Sequence, residues 1–242
     1  MLSTYTYPKF EYVCPPEVAE QRSGHYPVVI VGAGPVGLSM AIDLAAQGQQ
    51  VLLLDNDDTV SIGSRGVCYA KRTLEVLDRL NCGAPAVEKG VSWNVGRTFF
   101  GDGEVFNFNL CPQEGHQRPG MVNLQQYYLE DYLVARARQL PNLEMRFKNN
   151  VISVEQDDAQ ATVRVETPDG AYTLTTDWLV AADGARSPIR TMLGLDIEGK
   201  IFMDRFLIAD VVMKADYPAE RWFWFDPPFH RNDLAAAGPR AG

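Results

Sequence analysis

Three short stretches of the chain carry residue types that could do chemistry. The first is Val28-Val29-Ile30-Val31-Gly32-Ala33-Gly34-Pro35-Val36-Gly37. β-Branched residues run straight into G-x-G-x-x-G, and an apolar helical pattern follows. That order makes a strand, a tight turn and a helix whose N-terminal amides can hold a diphosphate. Gly32 makes the turn, Gly34 lets phosphates approach the backbone, and Gly37 lets helix pack on strand. Pro35 and Val36 fall within the same turn and belong to the candidate site. The second stretch is Val51-Leu52-Leu53-Leu54-Asp55. Asp55 lies about 20 residues past the first glycine, where an acid can accept both hydroxyls of a ribose. Asn56 joins it as a candidate; a solvated turn through Asn56, Asp57 and Asp58 is the plainer alternative. The third stretch runs over 177–190. An apolar strand ends in Ala181-Ala182-Asp183-Gly184, and Ser187-Pro188-Ile189-Arg190 follows. It offers a carboxylate at a strand end, a glycine for close approach, Ser187 as a helix N-cap and Arg190 on the next turn. Together these features read as a dinucleotide site. The spacing alone leaves open which dinucleotide.

The elements that must position these residues follow from periodicity. Leu38, Ala41, Ile42, Leu44 and Ala45 continue at helical spacing to Gly48, a natural helix stop. Residues 51–54 read as a buried parallel strand, completing β-α-β. A second helix is expected over 69–80, with Leu74, Val76, Leu77 and Leu80 on its apolar face and Asn81-Cys82-Gly83 as its end. Residues 93–110 alternate around Gly101-Asp102-Gly103, a hairpin signal. A third helix is expected over 124–140, closed by Pro141, with a short strand over 143–147. Runs at 151–155, 161–167 and 171–176 form a three-stranded meander with turn residues between them. Residues 178–182 read as a separate strand, and 206–213 and 222–225 as strands of a further sheet.

Composition narrows the classes. The chain has 242 residues, 46% hydrophobic, and a formal net charge of −9. That acidity argues against nucleic acid and anionic membranes as partners. No run approaches a bilayer span, and the N-terminus lacks a secretory pattern. Cys14, Cys68, Cys82 and Cys111 are scattered and His25, His116 and His230 stand alone, so no metal site is expected. Four reduced thiols suit a cytoplasmic location. No Ser/His/Asp or Cys/His constellation stands out, and no catalytic residue is assigned.

The segment 177–190 resembles the "DG" fingerprint of FAD-dependent aromatic monooxygenases, the para-hydroxybenzoate hydroxylase class. The nearest flavour is the phenol, hydroxyphenylpropionate and polyketide hydroxylases. Two further stretches agree with it. Ser64-Arg65-Gly66 follows the second strand, where the family keeps an Arg near the flavin diphosphate. Gln125-Gln126-Tyr127-Tyr128-Leu129-Glu130 resembles the family's helix start, with Gln126 on the flavin side. The resemblance implies an α/β fold: a Rossmann-like FAD-binding domain of the GR2 type, a β-meander, and the start of a mixed-sheet substrate domain. It implies cofactor roles for Gly32, Gly34, Pro35, Val36, Gly37, Asp55, Asn56, Arg65, Gln126, Asp183, Gly184 and Arg190. It also implies NAD(P)H-dependent hydroxylation of a small aromatic or phenolic substrate by dioxygen, through a flavin hydroperoxide. Homo-oligomerisation is left open.

The resemblance covers residues 26–231 and implies a division of the chain. Residues 1–24 form an extension over the surface or toward a partner. Residues 25–200 form the FAD-binding domain, with substrate-domain strands inserted near 92–110. Residues 201–231 begin the substrate domain, and 232–242 form a tail unlike the family. The family's later Gly-Asp-Ala-Ala-His motif is absent, so the chain is expected to be truncated and impaired as an enzyme. Two alternatives stay beside this reading: a non-catalytic FAD-binding fragment and an NAD-dependent dehydrogenase.

Overall fold

The computed structural model describes residues 5–63, 66–200, 202–205, 207, 209, 211, 214 and 216–228. Arg65, much of the expected strand over 206–213, and the tail over 232–242 lie outside the described residues.

The glycine-rich turn is built where the sequence placed it. Strand β1 (Gly24–Val31) leads into helix α2 (Pro35–Ala46), and β2 (Val51–Leu54) returns parallel to β1. Short helix α1 (Pro16–Ala19) precedes them. The main sheet also holds β8 (Leu143–Arg146), β9 (Asn150–Gln156), β10 (Ala161–Thr167) and β11 (Gly170–Ala181), in the order β8-β2-β1-β11-β10-β9. The first four strands of that order are mutually parallel, whereas β10 and β9 join antiparallel as the meander.

β1 and β2 are apolar at every position of their central run because both faces are covered. Val28, Ile30, Val51 and Leu53 pack with Leu38 and Ile42 of α2 and with Leu133 of helix α5 (Gln126–Ala137). Val29, Val31, Leu52 and Leu54 pack on the other side with Val163, Val165, Leu174 and Ile189. Burying one such side chain stabilises the fold by about 1.5–3 kcal/mol.

Two smaller sheets complete the described chain. One joins β3 (Cys68–Ala70), β7 (Met121–Asn123) and β4 (Val91–Trp93); the other joins β12 (Arg221–Phe225), β5 (Val95–Phe100) and β6 (Gly103–Asn109). The β5–β6 hairpin turns at Gly101, whose φ of 55° needs a residue free of Cβ strain.

Several expected boundaries shift, each for a tertiary reason. The helix expected over 69–80 starts at Lys71 (α3, Lys71–Arg79), because Tyr69 and Ala70 pair with Val122 and Met121 in β7. Gly83 does not end that helix; it begins another, α4 (Gly83–Lys89). The reversal between them falls on Asn81, with φ 62°. Trp93 belongs to β4 and not to the hairpin. The helix over 124–140 is shorter, Gln126–Ala137. The runs 171–176 and 178–182 are one strand: β11 pairs continuously with β1, from Gly24↔Leu174 to Val31↔Ala181. Asp177, which reads as a break, lies at the surface 3.4 Å from His25 Nε2.

Residues 5–23 do more than lie over the surface. Phe10 is 5% exposed and stacks on Phe147, with ring centroids 4.4 Å apart. Glu17 is buried and accepts hydrogen bonds from the Tyr26 hydroxyl (2.8 Å) and the Arg146 guanidinium (2.9 Å). Arg146 also donates to Tyr26, Tyr172 and Glu144, so the buried cation is fully engaged. Burial alone would push the Glu17 carboxyl up. The Tyr26 hydroxyl, a local amide and Arg146 outweigh that and hold it below its ordinary value.

Candidate cofactor groove

At the C-terminal ends of β1, β2 and β11 lies a groove of ≈ 560 Å³. Its wall is lined by Gly32, Gly34, Pro35, Val36, Asp55, Asn56, Gln126, Asp183 and Gly184. Nine of the twelve residues expected from sequence therefore share one cavity. The site at the carboxyl ends of parallel strands is where an open α/β sheet leaves room for a ligand.

Each glycine of the turn meets a different physical demand. Gly32 has φ 108°, and a Cβ there would lie 2.4 Å from the Ala182 carbonyl oxygen. The turn after β1 is thus pressed against the end of β11. A Cβ on Gly37 would sit 1.9 Å from the Gly32 carbonyl oxygen, so this glycine is buried packing and does not line the groove. Gly34 is the opposite case: nothing lies within 4 Å of the position its Cβ would take. It leaves an open cradle. Helix α2 begins here with no side-chain cap and no acidic residue in its first turn. Its first amides have no intrahelical acceptor, and the helix dipole favours negative charge at that end.

Asp55 is tied into the same turn. Its Oδ2 accepts the Ala33 amide at 2.5 Å, and its Oδ1 accepts the Asp57 amide at 2.7 Å. Each oxygen keeps a further lone pair for a hydroxyl donor. Burial pushes the Asp55 carboxyl above its ordinary value, against the pull of those two amides.

The Asp183-Gly184 corner packs beside Gly32. Asp183 Oδ2 accepts the Ser187 hydroxyl (2.7 Å) and the Ile189 amide (3.0 Å). Ser187 Oγ in turn accepts the Arg190 amide at 3.0 Å, capping helix α6 (Pro188–Met192) as its sequence suggested. Gly184 has φ 84° with open space where a side chain would be. Arg190 stands outside the lining, and its guanidinium folds back to the Ala185 carbonyl at 3.3 Å.

On the opposite wall, Gln126 Nε2 donates to Glu130 Oε1 (2.7 Å) and Ser61 Oγ (3.1 Å). Glu130 also accepts the Ser61 amide at 2.6 Å and its hydroxyl at 2.7 Å. The buried Glu130 therefore fixes both Gln126 and the loop after β2. Sequence reasoning assigned roles to neither Ser61 nor Glu130. Glu130 sits one helical turn after Gln126, and that spacing was its available signal. Arg186 and Asn149 also line the groove. Arg186 lay inside the 177–190 fingerprint, whereas nothing local marked Asn149.

Comparison with known proteins points to one family. Residues 25–242 match the family described as "FAD binding domain". The para-nitrophenol 4-monooxygenase of Pseudomonas sp. (strain WBC-3) is 34% identical over 187 residues, covering 76% of this chain and 46% of the relative. The 12-dehydrotetracycline 5-monooxygenase/anhydrotetracycline 6-monooxygenase of Streptomyces rimosus is 31% identical, covering 80% of this chain and 37% of the relative. Among solved structures, p-nitrophenol 4-monooxygenase from Pseudomonas putida DLL-E4 superposes with a TM-score of 0.69 at 31% identity, over 74% of this chain and 46% of that one. The flavin-dependent monooxygenase PieE, solved with FAD and substrate, superposes with a TM-score of 0.64 at 27% identity, over 73% of this chain and 33% of that one. The chain spans less than half the length of each of these relatives. Among the described residues no helix is long and apolar enough to cross a membrane.

Proposed function

The chain belongs to the FAD binding domain family, and from that premise we propose that its groove holds FAD for an NAD(P)H-dependent hydroxylation of a small aromatic or phenolic substrate by dioxygen. The observation that carries the cofactor reading is the open cradle at Gly34, set at the uncapped start of α2 and flanked by Asp183-Gly184. The donor set fits a dinucleotide diphosphate: backbone amides at a helix N-terminus, with glycine where the backbone must be approached. The aromatic-substrate reading draws on relatives named as nitrophenol, hydroxyphenylpropionate and anhydrotetracycline monooxygenases.

In this reading the Val36 amide at the start of α2 takes the diphosphate over the open backbone of Gly34, and Gly32 and Pro35 shape the turn that presents it. Asp55 accepts the ribose hydroxyls with the lone pairs that the Ala33 and Asp57 amides leave free, and Asn56 lies beside it. Gln126 is held by Glu130 and Ser61 to face the flavin side. Asp183 holds the start of α6, so that Gly184 presents open backbone to the cofactor. Arg65 is proposed for the diphosphate by family resemblance alone, and Arg190 supports the corner through its backbone. Bound flavin would supply the redox chemistry between the nicotinamide and dioxygen. The protein's part is to bind, orient and exclude water.

The test has two stages. Purified chain incubated with FAD is desalted and its visible spectrum recorded; retained, shifted flavin bands support the cofactor reading. A colourless protein that binds NAD instead favours a nicotinamide-dependent dehydrogenase. Phenol-stimulated NAD(P)H oxidation then tests the hydroxylase activity.

A further inference from the structure

The segment before β1 grips one wall of the groove. That wall is the loop after β2, which contributes Asn56, Asp57, Thr59, Ser61 and Ile62. Residues 7–10 run beside it and bond to it at four points. The Phe10 amide donates to the Asp58 carbonyl at 2.7 Å, and the Thr59 hydroxyl donates to the Pro8 carbonyl at 2.6 Å. The Lys9 ammonium pairs with the Asp58 carboxylate at 2.9 Å. The Gly63 amide donates to the Tyr7 hydroxyl at 3.1 Å. Phe10, buried on Phe147, anchors this strap in the core, and Glu17 anchors its far end on Arg146. The family match begins at residue 25, so the strap lies ahead of the shared domain.

Of residues 56–63 only Val60 is buried in the core; the rest must be ordered when a ligand binds the loop, and that ordering weakens affinity. Ordering it in advance removes the loss. We propose that Tyr7, Lys9 and Phe10 are positioning residues for the cofactor: they hold the loop over 56–63 as a preformed wall of the groove. The inference rests on the reading that the groove binds FAD. None of the three lines the groove, so their effect is transmitted through the loop.

Phe10 belongs to the core, and truncating it risks the fold. The test therefore uses the full chain carrying Tyr7→Phe and Lys9→Ala together, which removes two grips while sparing the core. FAD titration by flavin fluorescence is paired with amide hydrogen exchange of the ligand-free protein. The expected result is a rise of about fivefold in Kd, as for a loop whose binding-competent arrangement has fallen to about one fifth of the population. Exchange at Ser61 and Gly63 quickens, and Lys9→Arg, which keeps the pair with Asp58, retains wild-type affinity. Unchanged Kd and unchanged exchange in the double variant, with wild type binding FAD, overturn the inference. If wild type itself takes up no FAD, the groove reading fails, and the cofactor role of the strap fails with it. Faster exchange at Ser61 and Gly63 would then show a loop clamp and nothing more.

Discussion

The carboxylate of Asp55 accepts the backbone amide of Ala33, joining the end of β2 to the middle of the glycine turn. The acid is thus part of the turn's construction before any ligand arrives. Asp55→Ala leaves the amides of Ala33 and Asp57 without their acceptor and costs about 1–3 kcal/mol of stability, by urea denaturation. FAD affinity falls further than stability alone explains, because the ribose acceptor is lost as well. Asp55→Asn, which keeps one accepting oxygen, falls between wild type and Asp55→Ala in both measurements.

The glycines of the turn separate folding from binding. Gly37→Ala drives a methyl into the Gly32 carbonyl and costs about 1–3 kcal/mol. Gly34→Ala meets open space at an ordinary φ of −77°, so stability stays within about 0.5 kcal/mol. Its methyl enters the cradle, and FAD binding weakens about tenfold, close to 1.4 kcal/mol. Thermal melts and FAD titrations of the two variants should therefore rank them in opposite order.

Glu17 and Arg146 form a buried ion pair far apart in the chain. Removing one partner leaves the other charge poorly compensated. Glu17→Ala is expected to destabilise by about 3 kcal/mol in urea. A loss below about 0.5 kcal/mol would mean that Glu144, Tyr26 and Tyr172 alone suffice to hold Arg146.

The strap contact at Asp58 carries a pH signature. Lys148, and then Lys9, hold the Asp58 carboxyl below its ordinary value of 3.8. A depressed folded-state pKa contributes stability that is complete above the unfolded value and lost as pH falls through the folded one. The stability difference between wild type and Asp58→Asn is therefore full at neutral pH and closes only on the acid side of 3.8. A gap that closes between neutral pH and that value would contradict this assignment.

The sequence exposed the site better than its supports. The turn and Asp55 were legible because each sits at the end of a strand whose two buried faces leave an unbroken apolar run; the Asp183-Gly184 corner follows an apolar run that is only partly buried, with Trp178 exposed, and was legible by its fingerprint. Their meeting across 150 residues of chain was not spelled out locally; it follows from β11 lying beside β1, a tertiary choice. Tyr69 and Ala70 carry helical spacing yet pair with β7, because a neighbouring strand outweighs propensity there. The sequence analysis singled out neither Glu17 nor Arg146, for a buried pair leaves no periodic trace. The strap was read as an extension because its anchors, Phe10 and Glu17, are isolated positions that follow no helical or strand period.

The central claim is that this groove holds FAD at the Gly34 cradle. Calorimetric titration of the chain with FAD, beside NAD and beside a Gly34→Val variant, tests it most directly. The account predicts saturable FAD binding with one-to-one stoichiometry, much weaker NAD binding, and loss of FAD binding in a Gly34→Val protein that still melts like wild type. Equal FAD affinity in wild type and Gly34→Val, or tight NAD binding with none of FAD, would contradict it.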